Sequence, residues 1–214
     1  MALSPRLQRA APAEGASGPS PRQRAGVEAN SRLTATDAVV LLVLLAAEGV
    51  TLLSIHRLVV PHVFLGMMLV PPVALKIGTT GYRLVRYYTG APAYREKGPP
   101  PWLLRLLGPL VVVSTGAVLA SGVALLYLGG TARQDVLLLH KASFVLWFGA
   151  MTLHVLSHLA DTARLAPRDL VARTRRSVAG AGLRLWTIAG GVALGALLGT
   201  LLIGRAGHFP PMGG

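Results

Sequence analysis

The chain has 214 residues, of which 52% are hydrophobic and 14% are charged, and its net charge is +13. This composition is too apolar for an ordinary soluble domain. The chain has no cysteine, which excludes disulfides, iron–sulfur clusters, zinc–thiolate sites and cofactors attached through thioether bonds. The positive charge alone would fit nucleic-acid binding, but it flanks long apolar runs, so no nucleic-acid partner is predicted.

Residues 1–33 form the first segment of the chain. They are rich in Ala, Pro, Ser, Gly and Arg without hydrophobic periodicity, which predicts a disordered tail. The first 32 residues contain no apolar run typical of a signal peptide, so the first apolar segment is expected to be an uncleaved anchor. Residues 207–214 are predicted to form a second, shorter tail.

Between the tails, residues 34–206 contain five apolar runs, each long enough to cross a bilayer. The runs cover residues 36–55, 62–82, 103–128, 136–160 and 183–204. They predict one transmembrane domain and an all-α integral membrane protein with five transmembrane helices. Asp37, at the head of the first run, is predicted to cap the N-terminus of its helix.

Lys and Arg residues are distributed unevenly over the two sides of the predicted spans. Sixteen lie in the N-terminal tail, between spans two and three, and between spans four and five, whereas the opposite side carries three: Arg57, Arg133 and Arg205. The positive-inside rule therefore predicts a cytoplasmic N-terminus and, after five crossings, an outer C-terminus. The expected location is a bacterial cytoplasmic membrane, with the basic loops against anionic lipid.

Two pairs of ionisable residues repeat one spacing on the second and fourth spans. His62 and Lys76 are fourteen residues apart, and so are His140 and His154. In a helix this spacing leaves both members on nearly one face, about 40° apart and ~21 Å apart along the axis. The topology places His62 and His140 near the outer side, and Lys76 and His154 one level further in.

Ionisable groups inside a membrane are costly and usually functional. Imidazoles of facing helices are the axial ligands that haem iron takes in helical bundles. His62 and His140 are therefore predicted to bind one haem b near the outer side, as the two axial ligands of its iron.

The same segments resemble the di-haem cytochrome b family, whose second and fourth helices carry paired histidines at this spacing or near it. Here the sequences are HVFLGMMLVPPVALK over 62–76 and HKASFVLWFGAMTLH over 140–154. The resemblance covers residues 36–160. It implies a four-helix haem core, with the fifth helix as an extra C-terminal element. It also implies electron transfer between a membrane carrier, such as quinone or quinol, and an outer partner.

Lys76 departs from the family pattern, because histidine is expected at its position. Three roles stay open for it: ligating iron as a neutral amine, pairing with a haem propionate, or reaching the cytoplasmic interface. His154 is then the axial ligand of a five-coordinate iron, a quinone-site residue or a packed polar group. A second haem is left open, and fewer than two bis-histidine haems are expected.

Further polar and small residues of the spans have open roles. Glu48 is a candidate to pair with Arg57, to guide protons or to lie at a haem edge. His154, His158 and Asp161 share one helical face, but a metal site there lacks a partner from another helix. Glycines of the fifth span predict close helix packing, and those of the third, such as Gly122, leave room for a porphyrin edge.

The sequence shows no dinucleotide-binding fingerprint and no room for a large soluble domain. The chain is therefore expected to be an electron-transfer subunit of an oxidoreductase, with a separate partner subunit, rather than an enzyme by itself. The alternative is a cofactor-free membrane transporter or assembly protein. In that case Lys76, Glu48 and His154 would be polar groups of the bundle.

Overall fold

The computed structural model describes residues 18–98 and 101–206, and all its regular elements there are helices. The helices are α1 (Pro21–Leu52), α2 (Ile55–Tyr88), α3 (Pro92–Lys97), α4 (Trp102–Leu125), α5 (Gly130–Leu165), α6 (Pro167–Leu170), α7 (Ala172–Arg175) and α8 (Ala181–Ala206). Five of them, α1, α2, α4, α5 and α8, are long and apolar enough to cross a membrane. The predicted all-α fold with five such helices is confirmed. Residues 1–17 of the tail predicted at 1–33, and the whole tail predicted at 207–214, lie outside the described residues.

The first helix begins earlier than predicted, because its N-terminus has a complete set of capping signals. Ser20 and Gln23 form a capping box, and Pro21 occupies the first helical position, where a proline fits without losing a hydrogen bond. The prediction of disorder up to residue 33 is therefore wrong from Pro21 onward. Asp37 is correspondingly in the interior of α1 and fully buried, so its predicted role as an N-cap is also wrong.

Helices α2 and α8 pack closely through a row of glycines. Gly191, Gly195 and Gly199 lie one turn apart on α8, facing the segment of α2 from residue 64 to residue 72. A Cβ on Gly195 would fall 2.8 Å from the Cα of Met68, and one on Gly199 would fall 2.7 Å from Cδ2 of Phe64. Small residues allow this close approach of two backbones, as the sequence predicted for the fifth span.

The long helices form two groups. Helix α2 packs against α1 and α8, α4 packs against α5, and contacts of α1 with α5 and of α2 with α4 join the groups. Within the second group, the indole Nε1 of Trp147 donates to Oγ1 of Thr115 at 3.0 Å. The helical backbone of α2 is interrupted at Leu58, whose dihedral angles are non-helical, three residues before Pro61. His62 of the first group and His140 of the second lie where the groups face each other.

Ion pairs tie the connecting segments together at the basic end of the bundle. The guanidinium of Arg184 makes a bidentate pair with the buried carboxylate of Asp169, which joins α8 to α6. Nζ of Lys97 donates to Oγ of Ser31 at 2.6 Å, which joins α3 to α1. Burial lowers the pKa of Lys97, and nearby Arg83 lowers it further. These contacts bring the N-terminus of α1 and the connections α2–α4 and α5–α8 to one end.

The outward faces of the long helices are strongly apolar. Val43 is 64% exposed, Leu183 is 75% exposed, and large aliphatic side chains with similar exposure occur on all five helices. Soluble monomers do not present apolar surface of this extent to water. The faces are compatible with contact with lipid chains.

Candidate functional site

The imidazoles of His62 and His140 lie next to each other across the two groups of helices. Their ring centroids are 6.4 Å apart, and their planes are inclined by 84°. His62 comes from α2 and His140 from α5, at the matching level that spacing and topology predicted. The two residues are separated by 78 positions in the chain, so only the tertiary fold brings them together.

The Nδ1 atom of His62 is held by the C-terminal end of α1. It lies 2.9 Å from Oε1 of Glu48 and 2.9 Å from Oγ1 of Thr51. The hydroxyl of Thr51 donates to the backbone carbonyl of Glu48, so this hydroxyl accepts rather than donates toward the ring. Both neighbours are then acceptors, and Nδ1 of His62 carries the proton.

Glu48 reaches His62 because the two helices approach closely at a glycine. A Cβ on Gly66, one turn from His62 on α2, would lie 3.5 Å from Oε1 of Glu48. The second carboxyl oxygen, Oε2, is buried without a hydrogen-bond partner in the described part of the chain. Of the three roles that the sequence left open for Glu48, the structure places it against His62 and gives it no ion pair with Arg57.

The Nδ1 atom of His140 is held by α4. It lies 3.1 Å from the carbonyl oxygen of Val118 and 3.0 Å from Oγ of Ser121. The Ser121 hydroxyl is itself a donor to the Ala117 carbonyl. Because a carbonyl can only accept, Nδ1 of His140 is also the protonated nitrogen.

Gly122 lets α4 approach the ring of His140. A Cβ on Gly122 would lie 3.2 Å from Cε1 of His140, which is tighter than an ordinary contact. Any larger residue would therefore displace the ring. Taken with Ser121 and Val118, this glycine makes one turn of α4 a fitted support for His140.

The two histidines therefore share one protonation pattern. Each donates its Nδ1–H to an acceptor on a neighbouring helix, and each keeps the lone pair of Nε2. A histidine that binds a metal ordinarily donates its other ring N–H to a carboxylate or a backbone carbonyl. Glu48 and Val118 supply one acceptor of each kind.

The inner level has a different arrangement. Nζ of Lys76 donates to the backbone carbonyl of Thr34 on α1 at 2.7 Å. It also attracts Asp37, whose buried carboxyl oxygens have no hydrogen-bond partner among the described residues. The ring of His154 lies 4.8 Å from that of His158. No hydrogen bond joins Lys76 to His154 within residues 18–98 and 101–206.

A divalent-metal site was considered for His154, His158 and Asp161. In the described part of the chain, no group of three or more His, Cys, Asp or Glu residues is placed to hold a metal ion. The polar groups of the inner level come from α1 (Asp37), α2 (Lys76) and α5 (His154 and His158).

Sequence reasoning missed three features of these two levels. It did not predict the contact of Glu48 with His62, the role of Thr51, or the neighbourhood of Asp37 and Lys76. One signal was available for the first: Glu48 precedes the sharp turn at 53–54, and His62 follows it at a comparable distance. Antiparallel helices joined by a short turn bring such residues to one level.

Comparison with protein-family models, with curated proteins and with solved structures finds no match to this chain.

Proposed function

We propose that this protein is a membrane-embedded b-type cytochrome that transfers electrons between a membrane carrier, such as quinol, and a partner at the outer side. The observation that carries the proposal is the pair His62 and His140, whose rings lie 6.4 Å apart, edge to face, on two different helices. Both rings use Nδ1 as a donor, which leaves Nε2 of each as the ligand nitrogen.

The distance between the rings fits a shared iron. Metal–imidazole bonds are about 2 Å long, and roughly 1 Å separates a ring nitrogen from its ring centre. Two imidazoles that both bound one iron would therefore have ring centres at most about 6 Å apart, and the observed separation is 6.4 Å.

When bound, haem b supplies a one-electron redox centre. The chain's own residues would hold and insulate that centre. His62 and His140 would bind the iron, while Glu48 and Val118 accept hydrogen bonds from their Nδ1 atoms and fix the direction of both rings. The surrounding apolar helices exclude water.

The inner level supports a single bis-histidine haem. The hydrogen bond from Lys76 to Thr34 and the attraction of Asp37 direct the Lys76 amine toward α1. This contact engages Nζ of Lys76 on α1. His154 and His158 then act as packed polar groups or as part of a carrier site.

The location and partners follow from the same proposal. The five apolar helices would cross a bacterial cytoplasmic membrane, with the basic end in the cytoplasm and lipid against the exposed aliphatic side chains. His62 and His140 would then lie near the outer side. A separate oxidoreductase subunit would exchange electrons with the haem there.

The proposal is tested by purifying the protein in detergent and recording a dithionite-reduced minus oxidised absorption spectrum. The expected result is the sharp α and Soret difference bands of a low-spin b-type haem. A featureless difference spectrum from protein produced with added haem precursor would contradict the proposal.

One observation favours a second candidate, a cofactor-free transporter. Asp37 is fully buried beside Lys76 with neither carboxyl oxygen hydrogen-bonded in the described part of the chain, as in groups that exchange protons within membranes. Proton flux into vesicles that is abolished by Asp37→Asn, together with a featureless difference spectrum, would select this candidate.

A further inference from the structure

We propose that Glu48 is a positioning residue for His62 and that its carboxylate lowers the reduction potential of the bound haem; this inference rests on the proposed function. Glu48 lies on α1 and does not reach the iron. It acts through the imidazole of His62.

The side chain of Glu48 is held against His62. Oε1 of Glu48 lies 2.9 Å from Nδ1 of His62, and its side chain is 15% exposed. Gly66 leaves the space that this oxygen occupies, because a Cβ there would approach it to 3.5 Å. Thr51, which is 4% exposed, supplies a second acceptor at Nδ1 and is anchored on the Glu48 carbonyl. The His62 ring is thereby fixed in one tautomer and one orientation.

The two histidines differ in the hydrogen-bond partners of their Nδ1 atoms. Nδ1 of His140 meets the neutral carbonyl of Val118 and the hydroxyl of Ser121. Nδ1 of His62 meets a carboxylate. Removal of the Glu48 charge would therefore leave both histidines with neutral hydrogen-bond acceptors at Nδ1. The effect of the charge on the reduction potential can then be separated from the effect of ligation itself.

The Glu48 carboxylate is expected to lower the reduction potential of the haem. A carboxylate that accepts a hydrogen bond from Nδ1 makes the imidazole a more basic ligand and draws it toward imidazolate character. A more basic ligand stabilises the oxidised iron relative to the reduced iron. Hydrogen bonding around the ligands and burial are among the means by which proteins set haem potentials. The low local dielectric makes this interaction stronger than it would be near water.

The test is a redox titration of the haem-loaded full chain in detergent, comparing wild type with Glu48→Gln. Glutamine keeps the size and an acceptor oxygen but removes the charge. The matched control is Glu96→Gln, the same change at a half-exposed site on α3. We expect Glu48→Gln to keep wild-type haem stoichiometry, to titrate at a more positive midpoint potential and to show shifted low-spin resonance signals. The control should titrate as wild type.

An unchanged or more negative midpoint potential in haem-loaded Glu48→Gln would overturn the inference. If Glu48→Gln folds but does not bind haem, the Glu48→Asp variant tests the role of the carboxylate. An aspartate variant that binds haem at a potential near that of wild type supports the role of the carboxylate. Loss of haem from both folded variants would mean that residue 48 serves packing, and would overturn the inference. Absence of haem from the wild-type protein would instead refute the proposed function, before any variant is made.

Discussion

At the scale of single residues, the outer level depends on two helices besides α2 and α5, which carry His62 and His140. His62 is oriented by the end of α1, and His140 by one turn of α4. The orientation of each ring therefore depends on a different helix–helix contact. Substitutions in the supports should change how the ligands bind, while substitutions of the ligands should remove binding.

Replacing His62 or His140 by Ala should abolish the low-spin haem signal, because each change would remove one of the two nitrogens proposed to bind the iron. Electron paramagnetic resonance of the purified variants measures this directly. His56→Ala is the control, since His56 lies one and a half turns from His62 on α2 and is exposed. A wild-type signal in both His62→Ala and His140→Ala would sink the ligand assignment.

Gly122→Ala should weaken or distort haem binding through His140. The added Cβ would lie 3.2 Å from Cε1 of that ring, so the ring must shift by a few tenths of an ångström. Gly116→Ala makes the same change on α4 where a Cβ meets nothing within 4 Å. We expect a lower haem-to-protein ratio or altered low-spin signals in the Gly122 variant only; equal spectra for the two variants would contradict the role of Gly122.

The residue pattern predicted part of this site. The repeated spacing, combined with the charge bias of the loops, was enough to pair His62 with His140. The contact of Glu48 was not predictable, because a sequence does not show which face of α1 meets α2. Lys76 is a similar case, since its hydrogen bond to Thr34 depends on the rotation of the same two helices.

At the scale of helices, boundaries followed local signals that hydropathy does not contain. The apolar run of α1 starts at residue 36, but Ser20, Pro21 and Gln23 start the helix itself. Close packing through the glycines of the fifth span is confirmed for Gly191, Gly195 and Gly199, whereas a Cβ on Gly190 or Gly204 would meet nothing within 4 Å. Their partner was not evident from the sequence, and the structure shows it to be α2, beside the segment that contains Pro71 and Pro72.

Gly195→Ala should loosen the contact of α8 with α2, because its Cβ would overlap the backbone at Met68. Overpacking of this kind costs about 1–3 kcal/mol. Gly190→Ala is the matched control, since a Cβ there meets nothing within 4 Å and alanine favours the helix by roughly 0.5–1 kcal/mol. Thermal unfolding in detergent should show a lower midpoint for Gly195→Ala and an equal or higher one for Gly190→Ala. The reverse order would contradict the packing described for α8.

At the scale of the whole molecule, five long apolar helices form two groups whose facing surfaces carry the histidines. Composition and hydropathy predicted the number and type of the helices, since length and apolarity are properties of each helix alone. The division into groups depends on contacts between helices, such as that of α2 with α8. No single span contains that information.

The basic end of the bundle is predicted to be cytoplasmic. Reporter fusions at both termini measure the orientation, and the expected result is a reporter active in the cytoplasm at the N-terminus and one active outside at the C-terminus. The sixteen-to-three distribution of Lys and Arg is the physical reason. An N-terminal fusion active only outside the cytoplasm would show the opposite orientation.

The most direct measurement of the central claim is the ratio of haem to protein in the purified chain, combined with electron paramagnetic resonance of the oxidised form. The account predicts one haem per chain with one low-spin bis-histidine signal, which comes from His62 and His140. The inner level should contribute no second signal of that kind, because the Lys76 amine is engaged by Thr34. Two indistinguishable bis-histidine haems per chain, or none, would contradict the account.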